Sequence, residues 1–292
     1  MFEQFFIVDF PALLIVILAS LLCSLLGNFL LLRKQAIMVD AISHSVLPGI
    51  VTGVILSGTF SIIYVMGGAL TSALIAVTLV YIFEHYLKID RNAAIGCVFT
   101  AMFALGVLLL ETQIGSRIHL DTQHVLYGAL ELTYWSTPFE WSSMPTQIKT
   151  LSCVLLLAFL YISLMYKELK LTTFDPDYAK MLGYKAQYYY LSLIILVALA
   201  SVSCFEATGS ILVISLFVCP AAAARIICNT LSGQILLSAV IAVTCSILGY
   251  IGASFLPIWL GFDQTVNTAS VIAVLLGLSV IISIIITSKR PQ

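Results

Sequence analysis

Charge is what this sequence has least of: Asp, Glu, Lys and Arg make up 9% of its 292 residues. Soluble domains run near a quarter charged, so this shortage alone excludes an ordinary globular protein. Neither sign dominates, since the formal net charge is -1, and nothing in that balance points to nucleic acid or another strongly charged partner. Nucleotide-binding and catalytic motifs are missing too. There is no G-x-x-x-x-G-K-[ST], so the chain cannot cradle a nucleotide by the phosphate-loop route, and LSGQ at 231–234 is, without that loop, a chance likeness to an ATPase signature. No HExxH, GxSxG or Ser-x-x-Lys arrangement occurs, which leaves hydrolase chemistry unsupported and predicts a chain that is not an enzyme and binds no permanent cofactor. The seven cysteines (Cys23, Cys97, Cys153, Cys204, Cys219, Cys228 and Cys245) form no CxxC pair and lie in or beside apolar runs. They read as small packing residues rather than as disulfides or zinc ligands.

What the sequence has in place of charge is apolar length. Hydrophobic residues make up 61% and the mean hydropathy is +1.10, so lipid is the expected solvent. A helix needs about 20 apolar residues to cross the hydrocarbon core. Runs of that kind lie at 12–32, 36–57, 60–83, 93–110, 150–166, 188–205, 207–224, 235–256 and 265–288. The first has no basic region before it and no small-residue cleavage site after it, which predicts a retained span rather than a signal peptide. The expected fold is an all-α polytopic membrane protein of about nine transmembrane helices in one domain over 1–292. Only Glu206 and Gly209 separate the sixth run from the seventh, so eight spans plus a re-entrant piece is the second choice.

Basic residues favour the odd count, because cytoplasmic loops carry the excess of Lys and Arg. With the N-terminus outside and the C-terminus cytoplasmic, all of the 13 Lys and Arg except Arg117 and Lys149 fall inside. An even count would place Lys289 and Arg290 outside.

Two loops are long enough to hold structure. The outer one, about 111–149, contains HLDTQHVLYGALELTYW, whose apolar spacing could support a short helix at the membrane surface. The inner one, about 167–187, reads KELKLTTFDPDYAKMLGYK. There Thr173 or Asp175 could cap a helix, Pro176 suits its first turn and Gly183 its C-terminal cap. A compact capped helix on the cytoplasmic face suits docking to another protein; a solvated connector is the alternative.

The second run, QAIMVDAISHSVLPGIVTGVILS, is the exception to spans that are otherwise polar only through Ser, Thr, Gly and Asn. It holds Asp40 and His44. A charged side chain near the bilayer centre costs about 2.5–3.5 kcal/mol on insertion scales, so an intramembrane ionisable group is a functional candidate by default. The i, i+4 spacing puts both on one helix face. His44 follows Lys34 by about ten residues, or ~15 Å along the axis, which is near the midplane. A carboxylate and an imidazole together can hold manganese, iron or zinc. Pro48 removes a helical hydrogen bond and its ring collides with the carbonyl of residue 44, predicting a kink at that level. One pair supplies too few ligands; two copies facing each other would supply four, and Gly49 and Gly53 offer a small-residue surface for close helix packing. A simple Asp40–His44 pair, a late helix cap and a proton relay are the competing readings.

Other polar groups are weaker candidates. Glu206 reads as an exposed outer turn residue; His119, Asp121 and His124 as a solvated outer cluster; Glu84 and His85 as interfacial. Pro220, followed by a run of alanines, suggests a kinked, tightly packed helix.

Three segments resemble one family. VDAISHSVLPGI at 39–50 is similar to the GDALSHAVLPG segment of permeases of ABC-type manganese, zinc and iron importers. FDPDYAKMLGY at 174–184 resembles that family's cytoplasmic segment, and GSILVISLFVCPAAAAR at 209–225 its proline-containing run. With the matching length, the resemblance covers essentially the whole chain. It implies a multi-pass permease of the bacterial cytoplasmic (inner) membrane. The implied partners are a second permease subunit, identical or paralogous, two cytoplasmic ATPase subunits and an extracytoplasmic metal-binding protein. Asp40 and His44 would hold the transported Mn2+, Fe2+ or Zn2+, and Phe174, Asp175, Pro176 and Gly183 would belong to the segment that couples to the ATPase. The outer stretch HLDTQHVLYGALE is similar to manganese and iron members more than to zinc ones. Val39 stands where the family often has Gly, and Glu206 where it often has Gln or another polar residue. A proton-coupled carrier or channel, and a permease for siderophore or cobalamin chelates, are the rival expectations; bulky chelates have little use for a mid-membrane Asp–His pair.

Overall fold

A computed structural model describes residues 7, 9–58, 62–114, 135, 143–259 and 267–288. Among the described residues there are twelve α-helices and no strands: α1 (Phe10–Leu32), α2 (Ala36–Ser45), α3 (Leu47–Ser57), α4 (Ile62–His85), α5 (Arg91–Leu109), α6 (Thr146–Leu164), α7 (Tyr166–Phe174), α8 (Pro176–Met181), α9 (Ala186–Thr208), α10 (Ser210–Ile227), α11 (Leu231–Trp259) and α12 (Thr268–Ser288). A short π-helical turn, Leu110–Ile114, extends α5. Counting α2 and α3 as one broken span, nine of these segments are long and apolar enough to cross a membrane. Helices satisfy every backbone N–H and C=O internally, which is why a chain this apolar builds almost nothing else.

Helix α1 lies at the centre. It packs on α6, α10 and α11, and α10, α11 and α12 close around one another; α3, α4 and α5 form a second group, and α9 touches α1, α2, α4 and α6. Burial follows this plan. Of the span residues in α1 and α9, 67% and 72% are buried, against 22–33% in α4, α5, α6, α11 and α12. The outer helices therefore turn Leu, Ile and Phe outward, as at Leu156, Phe159 and Leu160. Lipid is as apolar as these side chains, so association depends on close packing and buried hydrogen bonds rather than on hiding them. Asn28 of α1 supplies such a bond, donating to the Ser238 hydroxyl of α11 at 2.6 Å and to the Ser24 carbonyl of its own helix at 2.6 Å.

Glycines set the closest approaches. A Cβ on Gly49 would lie 2.1 Å from the Gly68 carbonyl oxygen, and one on Gly53 2.4 Å from that of Tyr64. The Gly49 and Gly53 surface is thus occupied by α4 of the same chain and is not free for a second copy. Gly27, which no motif marks, plays the same part between α1 and the backbone of Phe217 on α10, beside the internal Pro220.

The sixth and seventh spans are separate helices joined through Gly209 alone. Its φ of +81° is a conformation that L side chains rarely adopt, and its N–H closes the end of α9 on the Phe205 carbonyl at 3.0 Å. With a single residue as connection there is no loop to hold Glu206. It sits half-buried in the last turn of α9, not in an exposed turn.

Candidate functional site

The broken span carries the site. The helix is interrupted at Val46, between α2 and α3, because Pro48 has no N–H to offer and its ring crowds the turn before it. A carbonyl at this break is satisfied from outside: Ser72 of α4 donates its hydroxyl to the Ser45 oxygen at 2.6 Å. The break falls two residues after His44 and leaves α2 as a short, separately placed helix bearing both ionisable groups.

Asp40 and His44 face each other along α2, with Oδ1 and Nε2 3.4 Å apart. The His44 ring is held edge-on against Phe99 (centroids 5.1 Å apart) and Phe103 (5.7 Å) of α5. An imidazole pinned by two aromatic rings has few rotamers left, so its Nε2 stays aimed at the carboxylate. The pair is not sealed in. His44 keeps 20% of its side-chain surface accessible and Asp40 keeps 42%, while Val39, Ala41, Ile42, Ser43 and Ser45 around them are buried. Ile37, one turn before Asp40, is exposed at 55%. One strip of α2 therefore looks out of the chain, and it carries the two ionisable groups.

Two donors of this kind, one oxygen and one nitrogen, suit a divalent transition metal but do not complete a site for it. Among the described residues no group of three or more His, Cys, Asp or Glu comes together to hold an ion. Phe99 and Phe103 are the parts that sequence reasoning missed. Their i, i+4 spacing was visible, but nothing in a span apolar all round says which face meets α2.

The remaining sequence candidates fall as follows. Glu84 lies 3.6 Å from the Arg91 guanidinium, and His85 stacks on Tyr81 at 4.3 Å. His119, Asp121 and His124 lie outside the described residues. Cys23 and Cys204 touch with sulfurs 3.5 Å apart, and all seven cysteines are free thiols. At the end of the bundle where α1 stops, Asp175 rather than Thr173 caps the short helix α8, accepting from the Tyr178 N–H at 2.9 Å. Pro176 takes the first position of that helix. Gly183 follows it at φ +86° and donates to the Lys180 carbonyl. Around this helix Phe174, Tyr178, Met181, Leu182 and Tyr188 are all exposed by half or more. Thr173 instead accepts from Arg33 at 3.0 Å. Burial pulls that guanidinium below its ordinary value, although it stays charged at any physiological pH.

The manganese transport system membrane protein MntD of Bacillus subtilis (strain 168) is 36% identical over 244 residues, which is 83% of this chain and 82% of that protein. The zinc transport system membrane protein TroD of Treponema pallidum (strain Nichols) is 38% identical over 209 residues, 71% of this chain and 56% of that one. Among solved structures, PsaBC from Streptococcus pneumoniae in complex with Fab superposes with a TM-score of 0.77 at 28% identity, covering 94% of this chain and 89% of that one. The family model described as the ABC 3 transport family matches residues 6–287, and the chain belongs to that family: it is a membrane permease of the ABC type.

Proposed function

We propose that this permease carries a divalent transition metal inward, manganese ahead of zinc, through a site to which each of two permease copies contributes Asp40 and His44. The single observation behind this is the half-open Asp40–His44 strip on α2. A carboxylate left 42% accessible within a membrane span cannot face lipid cheaply. It needs water, a cation or another chain in front of it. A second copy presenting the same strip would put another chain in front of it and would raise the donor set from two to four. The donors, carboxylate oxygen and imidazole nitrogen without thiolate, suit manganese as well as zinc, and relatives named for both metals match this chain.

The energy would come from separate ATPase chains, since the sequence has no phosphate loop. Their contact would be the exposed, capped segment 166–185, with Phe174, Asp175, Pro176 and Gly183 at its core, and a metal-binding protein would deliver the ion from the other side. Arg33 and Arg91 gather at the same end of the bundle as that segment. This supports placing it in the cytoplasm and the N-terminus outside a bacterial inner membrane. ATP binding would then push on α8 and rock the helices around α2 from outward- to inward-open.

His44→Ala tests the reading directly. The variant is expected to reach the membrane and retain its ATPase in normal amounts while manganese uptake in metal-limited cells is abolished. Normal metal-limited growth of the variant, or wild-type uptake that persists without any ATPase chain, would overturn the proposal.

A further inference from the structure

We infer that Arg33, Tyr190 and Arg91 form the link through which movement of the 166–185 segment reaches α2, making them positioning residues for transport. The inference rests on the proposed roles of that segment and of Asp40 and His44. The path is continuous in hydrogen bonds and ring contacts. Arg33, at the end of α1, donates from Nη2 to Thr172 Oγ1 at 3.1 Å and from Nε to Thr173 Oγ1 at 3.0 Å, the last turn of α7 before the Asp175 cap. Its guanidinium carbon lies 5.9 Å from the ring centroid of Tyr190 on α9. Arg91, the first residue of α5, lies 5.4 Å from the same centroid and donates to the Tyr190 hydroxyl. With the Gln35 amide oriented by its partners, Oε1 accepts from Arg91 Nη1 at 2.9 Å and Nη2 at 3.1 Å. Gln35 is buried and is the residue from which α2 starts, five residues before Asp40.

Two features make this a device for passing motion rather than a set of isolated ties. A guanidinium is planar with donors in a fixed fork, so a displacement at one end of Arg33 or Arg91 reorients the other end; a lysine in its place would absorb the displacement in its flexible stem. Arg91 also sits at the start of a rigid element. Its own helix, α5, carries Phe99 and Phe103 against His44, so moving the base of α5 moves the wall of the site together with the start of α2. The two joints next to these arginines, 33–35 and 86–90, each contain a non-glycine residue in the left-handed region, Lys34 at φ 58° and Lys88 at φ 53°. Such residues hold their uncommon conformation only while the surroundings fix it.

The test uses the whole importer (permease pair, ATPases and binding protein) in proteoliposomes, with ATP hydrolysis and manganese uptake measured on the same sample. In Tyr190→Phe, Arg33→Lys and Arg91→Lys, hydrolysis is expected to stay within about twofold of wild type while manganese moved per ATP falls about tenfold, a drop typical of a lost coupling free energy. The double variant Arg33→Lys with Tyr190→Phe should be little worse than either single one, because both lie on one path. Unchanged uptake per ATP in all three single variants would overturn the link. So would a loss of assembled transporter with the ratio intact, since that is what mere bracing of the fold would give. If the lysine variants do not assemble, Tyr190→Phe, which removes one hydroxyl, decides the matter. A dead His44→Ala importer beside normal ratios here sinks the link alone, whereas a transporting His44→Ala importer sinks the metal site on which it rests.

Discussion

At the scale of single residues, the site depends on a carboxylate and an imidazole 3.4 Å apart that the chain itself leaves short of ligands. Removing the charge of Asp40 while keeping its size should weaken metal binding without disturbing the helix. Asp40→Asn is therefore expected to lower manganese uptake at limiting metal by at least about tenfold, one tenfold step corresponding to ~1.4 kcal/mol. Uptake at a series of manganese concentrations would check this, with recovery at high metal marking a binding defect. Wild-type uptake at low metal would contradict the assignment. Val39, where the family resemblance expects Gly, is fully buried beside Asp40, so its larger side chain fills the protein interior rather than the open strip.

At the scale of elements, backbone approach and capping set how the helices are held. The α3–α4 pair is locked through Gly49 and Gly68, where a Cβ would come within 2.1 Å and 2.2 Å of the facing carbonyl oxygens. Gly49→Val must push the helices apart, and overpacking of this kind typically costs about 1–3 kcal/mol. The purified variant is expected to show a lower Tm in detergent together with reduced uptake, because α3 continues the span that carries the site. An unchanged Tm would mean the two helices separate freely. Helix α8 is held differently. It is a six-residue helix fixed at its start by the Asp175 carboxylate, and loss of such a cap costs about 0.5–2 kcal/mol. Asp175→Ala is expected to reduce co-purification of the ATPase while leaving the amount of permease in the membrane unchanged. Equal recovery of the ATPase would remove α8 from the proposed contact.

At the scale of the whole molecule, the proposed function divides the surface into faces for lipid and a strip that is not for lipid. Ile37 shares the open strip of α2 with Asp40, whereas Leu156 lies on the outward face of α6; both are exposed in the single chain, at 55% and 68%. In a background with the seven native cysteines replaced, Ile37→Cys should react with a membrane-impermeant maleimide in the assembled importer and Leu156→Cys should not. Labelling of Leu156→Cys alone, or of neither, would leave the strip without water and remove the pathway.

Much of this was legible in the sequence, and for a physical reason. Apolar length, the odd placement of Asp40 and His44, the turn chemistry of Asp175, Pro176 and Gly183, and the break at Gly209 are local properties, set by the chemistry of neighbouring residues within a turn or two. Helix formation in an apolar solvent needs no distant partner, so the nine spans could be read with ends off by only a few residues. Which helix faces meet was decided by the tertiary structure alone. Spans that are apolar all round carry no amphipathic stripe to show their inner side, so the pinning of His44 by Phe99 and Phe103, the closure of the Gly49 surface by α4 rather than by a second copy, the half-buried seat of Glu206, and the Arg33–Tyr190–Arg91 path became visible only when the helices were packed.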